Sequence, residues 1–80
     1  MNIVQRMIAA SRDVELAGGE RKRFVVSEAG HKALADYQDD MWRHPVTGEI
    51  ERKSDADFTK FVIGVPVEID PAQAEEFIIQ

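Results

Sequence analysis

The segment Phe61–Pro71, FVIGVPVEIDP, decides which fold this chain can adopt. Its odd-numbered positions are apolar as far as residue 69, which is the pattern of a strand with one face against a core. Gly64 and Pro66 fall on the other face, where each normally destabilises a strand. Because proline cannot donate to a sheet ladder, we interpret the segment as an edge strand with a bend between Phe58–Ile63 and Val65–Ile69. A second interpretation keeps this edge open for a strand of a partner.

The odd-numbered face is expected to lie in the core. A charge at Ile63 or Val67 should therefore unfold the domain, whereas changes at Lys60 or Glu68, on the even face, should hardly affect stability.

The segment before this strand predicts two helices. Apolar residues at helical spacing predict an amphipathic N-terminal helix over residues 3–15, with Asn2 as its N-cap and an end at Gly18-Gly19. Its apolar side is too broad to leave in water, so we expect it to pack on the sheet or on a neighbouring chain.

A short strand at Arg23–Val26 precedes the second helix, which is predicted over residues 28–41 with Ser27 as its N-cap. A small hairpin or exposed loop around Thr47-Gly48 and a polar connector, Lys53–Asp57, then lead to the main strand.

Asp70-Pro71 predicts a short helical turn, and Phe77–Ile79 a closing strand. These elements predict an α+β fold in one domain, residues 1–80. It is a small two-layer domain with an amphipathic N-terminal helix and a second helix packed on a short, mostly antiparallel sheet.

Composition narrows the classes of function. The chain has 80 residues, no cysteine and a net charge of −5. Disulfides and thiolate metal sites are excluded, and the negative charge argues against nucleic-acid and membrane binding. No apolar run reaches the roughly 20 residues of a membrane span, so we expect a cytoplasmic or virion location. A small core without disulfides is often stabilised by association, and we therefore expect a homo-oligomer.

Residues 23–80 resemble the peripheral domain of tailed-phage major capsid proteins. The resemblance rests on RFVVSEAGHKALADY, TGEI and VIGVPVEIDPAQAEEFIIQ, with IGVPVEIDPAQ as its specific part. The chain has no room for the central domain or extended loop of such subunits. The resemblance therefore implies a small phage or prophage protein with an accessory structural role, rather than a shell-forming subunit.

Three side chains at four-residue steps, Asp36, Asp40 and His44, could offer ligands to a divalent ion if the second helix continued past Arg43. Pro45 opposes that continuation, so we interpret these residues and Asp39 as a solvated acidic face and predict no metal.

No arrangement of residues typical of catalysis is present. His31 and His44 have no orienting partner in the sequence, and no nucleotide motif occurs, so we predict no enzyme and no cofactor. The basic run Arg21–Phe24 could contact phosphate, but acidic residues flank it and we interpret it as a solvated strand entry.

A protein partner is the remaining possibility. Trp42 and Arg43 are of the types that anchor interfaces, and they stand beside His44. With Met7 and Ile3 of the first helix, these residues form the predicted partner-binding set, although Trp42 could instead cap the core. We therefore expect a non-enzymatic phage-type structural or protein-interaction protein. The alternative is an acidic inhibitor or nucleic-acid mimic that occupies a basic host protein.

Overall fold

The computed structural model describes residues 1–52 and 55–80. The chain forms helices α1 (Ile3–Leu16) and α2 (Glu28–Met41) and strands β1 (Phe24–Val26), β2 (Phe61–Val62), β3 (Val65–Ile69) and β4 (Phe77–Ile79). Two helices and one four-stranded mixed sheet confirm the predicted α+β class. Within the described ranges, no helix has both the length and the apolar character needed to cross a membrane.

Both helices begin at the predicted caps. The Asn2 side chain accepts the N–H of Gln5, whose own side chain accepts the N–H of Asn2, so a complete capping box starts α1. Ser27 Oγ accepts the N–H of Gly30 at the start of α2, whose bounds are those predicted. The predicted N-caps and helices are thus confirmed.

The sheet has the order β2-β3-β1-β4. β1 lies parallel to β3, with Phe24 opposite Val67, and antiparallel to β4, with Phe24 opposite Ile79. β2 and β3 are antiparallel. The sheet is therefore mostly antiparallel as predicted, and its parallel pairing comes from a crossover through α2.

The core lies between the helices and one face of the sheet. α1 contacts both β2 and β4 at opposite edges of the sheet, so it crosses the whole core face. Of the two predicted places for α1, its own sheet or a neighbouring chain, the structure shows packing on its own sheet. The buried apolar side chains of this cluster are Ile3, Val4, Met7, Phe24, Val26, Leu34, Val62 and Val65.

The main strand differs from the prediction. The chain reverses direction at Ile63-Gly64, and β2 and β3 pair as a hairpin with Val62 opposite Val65. Both turn residues have positive φ angles, 47° and 77°, as a two-residue type I′ turn requires. The predicted bent strand from Phe58 is therefore wrong, because the two halves of this segment are neighbouring strands.

The predicted inner face of this segment is also partly wrong. Val65 is buried and Val67 half-buried, as expected, but Phe61, Ile63 and Ile69 are 54%, 50% and 49% exposed. The reversal changes which positions point inward, so Val62 lies in the core instead. A charge at Ile63 would meet solvent, and the expectation that it unfolds the domain is withdrawn.

Pro66 fits in β3 because it occupies a non-hydrogen-bonded position of the β2–β3 ladder. Val67 donates its N–H to Lys60 O, whereas Pro66 lies opposite Phe61 at the intervening position. In an antiparallel pair the N–H of such a position points away from the partner strand, so β2 loses no hydrogen bond to the proline.

The connection from β3 to β4 is a turn and not the predicted helical turn at Asp70-Pro71. Asp70 Oδ1 accepts the N–H of Ala72, and the side-chain amide of Gln73 donates to Val25 O and Glu75 O. These bonds hold the chain as it passes the end of β1, where a helix would lead it away from the sheet. The small hairpin predicted around Thr47 is present, with a bridge between Arg43 and Ile50.

The polar connector lies in part outside the described residues, because Lys53 and Ser54 belong to the gap between the two described ranges.

Candidate interaction surface

The β2–β3 hairpin leaves two large apolar side chains, Phe61 and Ile63, about half exposed to solvent. Ile63 adopts φ 47°, in the left-handed region that costs an L-residue about 1–2 kcal/mol. Asn-Gly and Gly-Gly are the usual pairs at such turns, and a β-branched residue is an outlier there. Its side chain is half exposed, so packing in the core does not offset this cost.

A half-open cavity of about 380 Å³ lies between this turn and the segment that precedes β2. Phe58, Phe61 and Ile63 provide its apolar wall, and Arg52, Asp57 and Lys60 provide charges around it. We call the surface formed by Phe58, Phe61, Ile63 and Gly64 the hairpin groove.

Helix α2 fixes the inner wall of the hairpin groove. Gln38 Oε1 accepts the N–H of Phe58 at 2.7 Å. The Phe58 ring packs edge-to-face on Tyr37, with ring centroids 5.6 Å apart. Phe58 is thereby anchored to the body of the domain, while Phe61 and Ile63 project from the hairpin.

Asp57 organises the turn that precedes β2. Its Oδ1 accepts the hydroxyl of Thr59 at 2.6 Å and the N–H of Thr59 at 3.0 Å. The hydrogen bond from the Thr59 hydroxyl lowers the pKa of Asp57, and the cations of Lys60 and Arg52 act in the same direction. The Lys60 ammonium is 4.0 Å from this carboxylate and its side chain is 73% exposed, so its charge faces the solvent.

Three of the five predicted partner-binding residues are buried. Ile3 and Met7 belong to the core cluster, and Trp42 is only 7% exposed at the end of α2. The Arg52 guanidinium covers the Trp42 ring at 5.4 Å from its centroid. Ile3 and Met7 are therefore not available to a partner, and Trp42 closes the end of α2.

Arg43 and His44 shape the loop after α2. Arg43 donates to Gly48 O and lies 3.6 Å from Asp40, and His44 Nδ1 accepts the N–H groups of Val46 and Thr47. Both residues are engaged within their own loop, and a role for them in partner binding stays a prediction.

Two of the acidic residues of α2 pair with cations. Asp36 pairs with Lys32, and Asp40 with Arg43. Across residues 1–52 and 55–80, no three histidine, aspartate or glutamate side chains lie together in a way that could hold a metal ion.

The basic run Arg21–Phe24 is divided between separate contacts. Arg21 donates to the buried Ser11 hydroxyl, Arg23 pairs with Glu68, and Phe24 is fully buried. The aromatic ring that stacking on a base would need is therefore enclosed in the core.

The sequence pattern did not predict the hairpin groove. A residue followed by glycine between two apolar runs is a signal for a two-residue turn. Here Ile63 stands where asparagine or aspartate is usual, and it continued the apolar alternation instead of interrupting it.

Comparison with known proteins gives no match: no family model, no curated protein and no solved structure is similar to this chain.

Proposed function

We propose that this chain is a non-enzymatic protein-interaction module that binds a partner protein through the hairpin groove. The observation behind the proposal is Ile63, a β-branched side chain kept half exposed in a left-handed conformation. Strained backbone positions occur preferentially where function requires them, because selection for stability alone would remove them. Phe61, 54% exposed on the same hairpin, extends the apolar surface beside it.

The chemistry of the groove specifies its occupant. Three apolar side chains around a cavity of about 380 Å³ suit one large apolar side chain of an extended protein segment. The Lys60 ammonium pairs loosely with Asp57 Oδ2, at 4.0 Å, and its exposed side chain lines the cavity, where it can contact a further anion. We therefore propose a partner segment with an aromatic or branched apolar residue next to an acidic one.

The resemblance to capsid peripheral domains suggests where this module acts and which kind of protein it binds. A small phage or prophage protein that binds another virion or assembly protein, in the host cytoplasm or in the virion, would use such a groove as its docking site. We include this phage-related location and partner class in the proposal.

The alternative, an acidic inhibitor or nucleic-acid mimic, requires one contiguous acidic face. In the described residues, acidic side chains of α2, of β3 and of the segment before β4 pair with cations, as Asp36–Lys32, Glu68–Arg23 and Glu76–Arg6. This distribution favours the interaction module.

A selection from displayed random peptides tests the proposal. We expect the protein to enrich peptides with a large apolar residue beside an acidic one, and Phe61→Ser to lose that enrichment at least tenfold. Lys60→Glu should shift the charged position of the selected peptides from acidic to basic.

Val46→Ser is the matched control, because Val46 is an apolar residue, 86% exposed, on the separate loop after α2. It should enrich the same peptides as the unmodified protein. No enrichment, or equal enrichment by the Phe61→Ser variant, would overturn the proposal.

A further inference from the structure

Strand β4 has one row of backbone hydrogen-bonding groups without a partner among residues 1–52 and 55–80. It lies at the edge of the sheet opposite β2, with β1 on its inner side. Arg23 and Gln80 exchange both of their backbone hydrogen bonds, and Ser27 donates to Glu76 O. Since hydrogen-bonded and non-bonded pairs alternate along an antiparallel ladder, Ile78 bonds to β1, while Phe77 and Ile79 point their N–H and C=O groups outward.

We propose that β4 pairs antiparallel with β4 of a second copy of this chain, about a two-fold axis at Ile78. The two four-stranded sheets then form one continuous sheet across the dimer. This inference is independent of the hairpin groove and uses none of its residues.

The outward groups determine the register of the pairing. They belong to positions 77 and 79, so Phe77 of one copy lies opposite Ile79 of the other, and each such pair exchanges two hydrogen bonds. Ile78 then faces Ile78 of the second copy across the axis. An antiparallel arrangement satisfies all the outward groups of β4 in both copies, which makes a second copy a fully complementary occupant.

Charge supports the same orientation. Glu75 precedes one end of β4, and Lys22, whose N–H donates to Gln80 O, lies at the other end. Both side chains are exposed, and no ion pair joins either of them to another described residue. The two-fold arrangement brings Glu75 of each copy near Lys22 of the other, whereas a parallel pairing would place like charges together.

Ile78 is half-buried and lies opposite Val25, on the face of the sheet that the helices do not cover. Two copies of Ile78 at the axis bury each other there. A charge at this position would face an identical charge in the dimer but meet solvent in the monomer.

The test is the mass in solution, measured by analytical ultracentrifugation over a range of concentrations. The unmodified protein should form dimers, while Ile78→Lys and Ile78→Glu should each be folded monomers. A mixture of the two variants should recover the dimer, because opposite charges then meet at the axis. Phe61→Lys, on the opposite edge of the sheet, should leave the mass unchanged.

Amide hydrogen exchange tests the proposal in the unmodified protein, without any substitution. The amides of Phe77 and Ile79 should become protected as protein concentration rises, whereas the Ile78 amide should be protected throughout. A monomer at high micromolar concentration, or an Ile78→Lys protein that stays dimeric, would overturn the proposal. Neither result would affect peptide binding at the hairpin groove, so the two proposals fail separately.

Discussion

At the scale of single residues, Ile63 is the residue whose type fits its backbone conformation least well. Its φ of 47° suits asparagine far better than a β-branched residue, and its side chain is half exposed. We therefore expect Ile63→Asn to raise the free energy of unfolding by about 1 kcal/mol, as measured by urea denaturation.

Ile69→Asn is the control for this change, because Ile69 is equally exposed, at 49%, but belongs to a regular strand. It should bring no gain. An Ile63→Asn protein less stable than the unmodified one would show that Ile63 packs on the domain more than its exposure indicates. It would also remove the main support for the hairpin groove.

Residues whose roles depend on near neighbours were predictable from the sequence. Asn2 and Ser27 each cap a helix through an N–H three residues away, so sequence spacing contains all the required information. The turn at Ile63-Gly64 is just as local, but Ile63 favours an extended strand by its type, and that preference hid the turn.

At the scale of elements, Gly30 determines how closely α2 approaches the strand edge. A Cβ atom at this position would lie 2.1 Å from the backbone oxygen of Glu76, directly before β4. We expect Gly30→Ala to lower the free energy of unfolding by about 1–3 kcal/mol, although alanine favours a helix by about 1 kcal/mol over glycine. Thermal and urea denaturation would measure the loss.

Lys32→Ala, two residues further along α2, is the control, because the Lys32 side chain is 79% exposed. It should change stability by less than about 0.5 kcal/mol. A Gly30→Ala protein as stable as this control would mean that α2 can move away from the Glu76 backbone at little cost.

Helices and strands differed in how far the sequence predicted them. The bounds of α2 followed from periodicity and a cap, both of which are local. The inward side of β3 followed from alternation, but which residues of β2 point inward depended on a reversal of the chain. Pairing between distant strands leaves no comparable local pattern, and β4 could not be placed beside β1 from the sequence.

At the scale of the whole molecule, stability is expected to depend on pH through Asp57. Its pKa is lowered in the folded protein, so the folded state favours the carboxylate. That contribution is present above the ordinary aspartate pKa of about 4 and is lost as pH falls through the lower folded value.

Asp57→Asn should therefore reduce the free energy of unfolding by about 1–2 kcal/mol at pH 7, where it weakens the bonds from Thr59. The difference from the unmodified protein should shrink as pH decreases from 5 to 3, as followed by urea denaturation at each pH. Asp55→Asn, at an exposed residue of the same segment, should change stability by less than about 0.5 kcal/mol at pH 7. A difference for Asp57→Asn that stays constant with pH would contradict the assignment.

The candidate surfaces themselves were beyond sequence reasoning, because both depend on contacts between distant parts of the chain. The hairpin groove needs Phe58 held by Gln38 of α2, and the open edge of β4 exists because β1 takes its inner side. The residue types of Trp42 and Arg43 predicted an interface at the end of α2, but the Arg52 guanidinium covers the Trp42 ring in the folded protein.

The position of β1 in the sheet has a consequence for how the protein is made. This strand leaves the ribosome early, but its two neighbours come from the last part of the described chain, with Phe24 opposite Val67 on one side and Ile79 on the other. Such distant pairings give a high contact order, which slows folding. Until residue 79 has been synthesised, β1 has unpaired backbone N–H and C=O groups beside apolar side chains, and both can associate with other nascent chains.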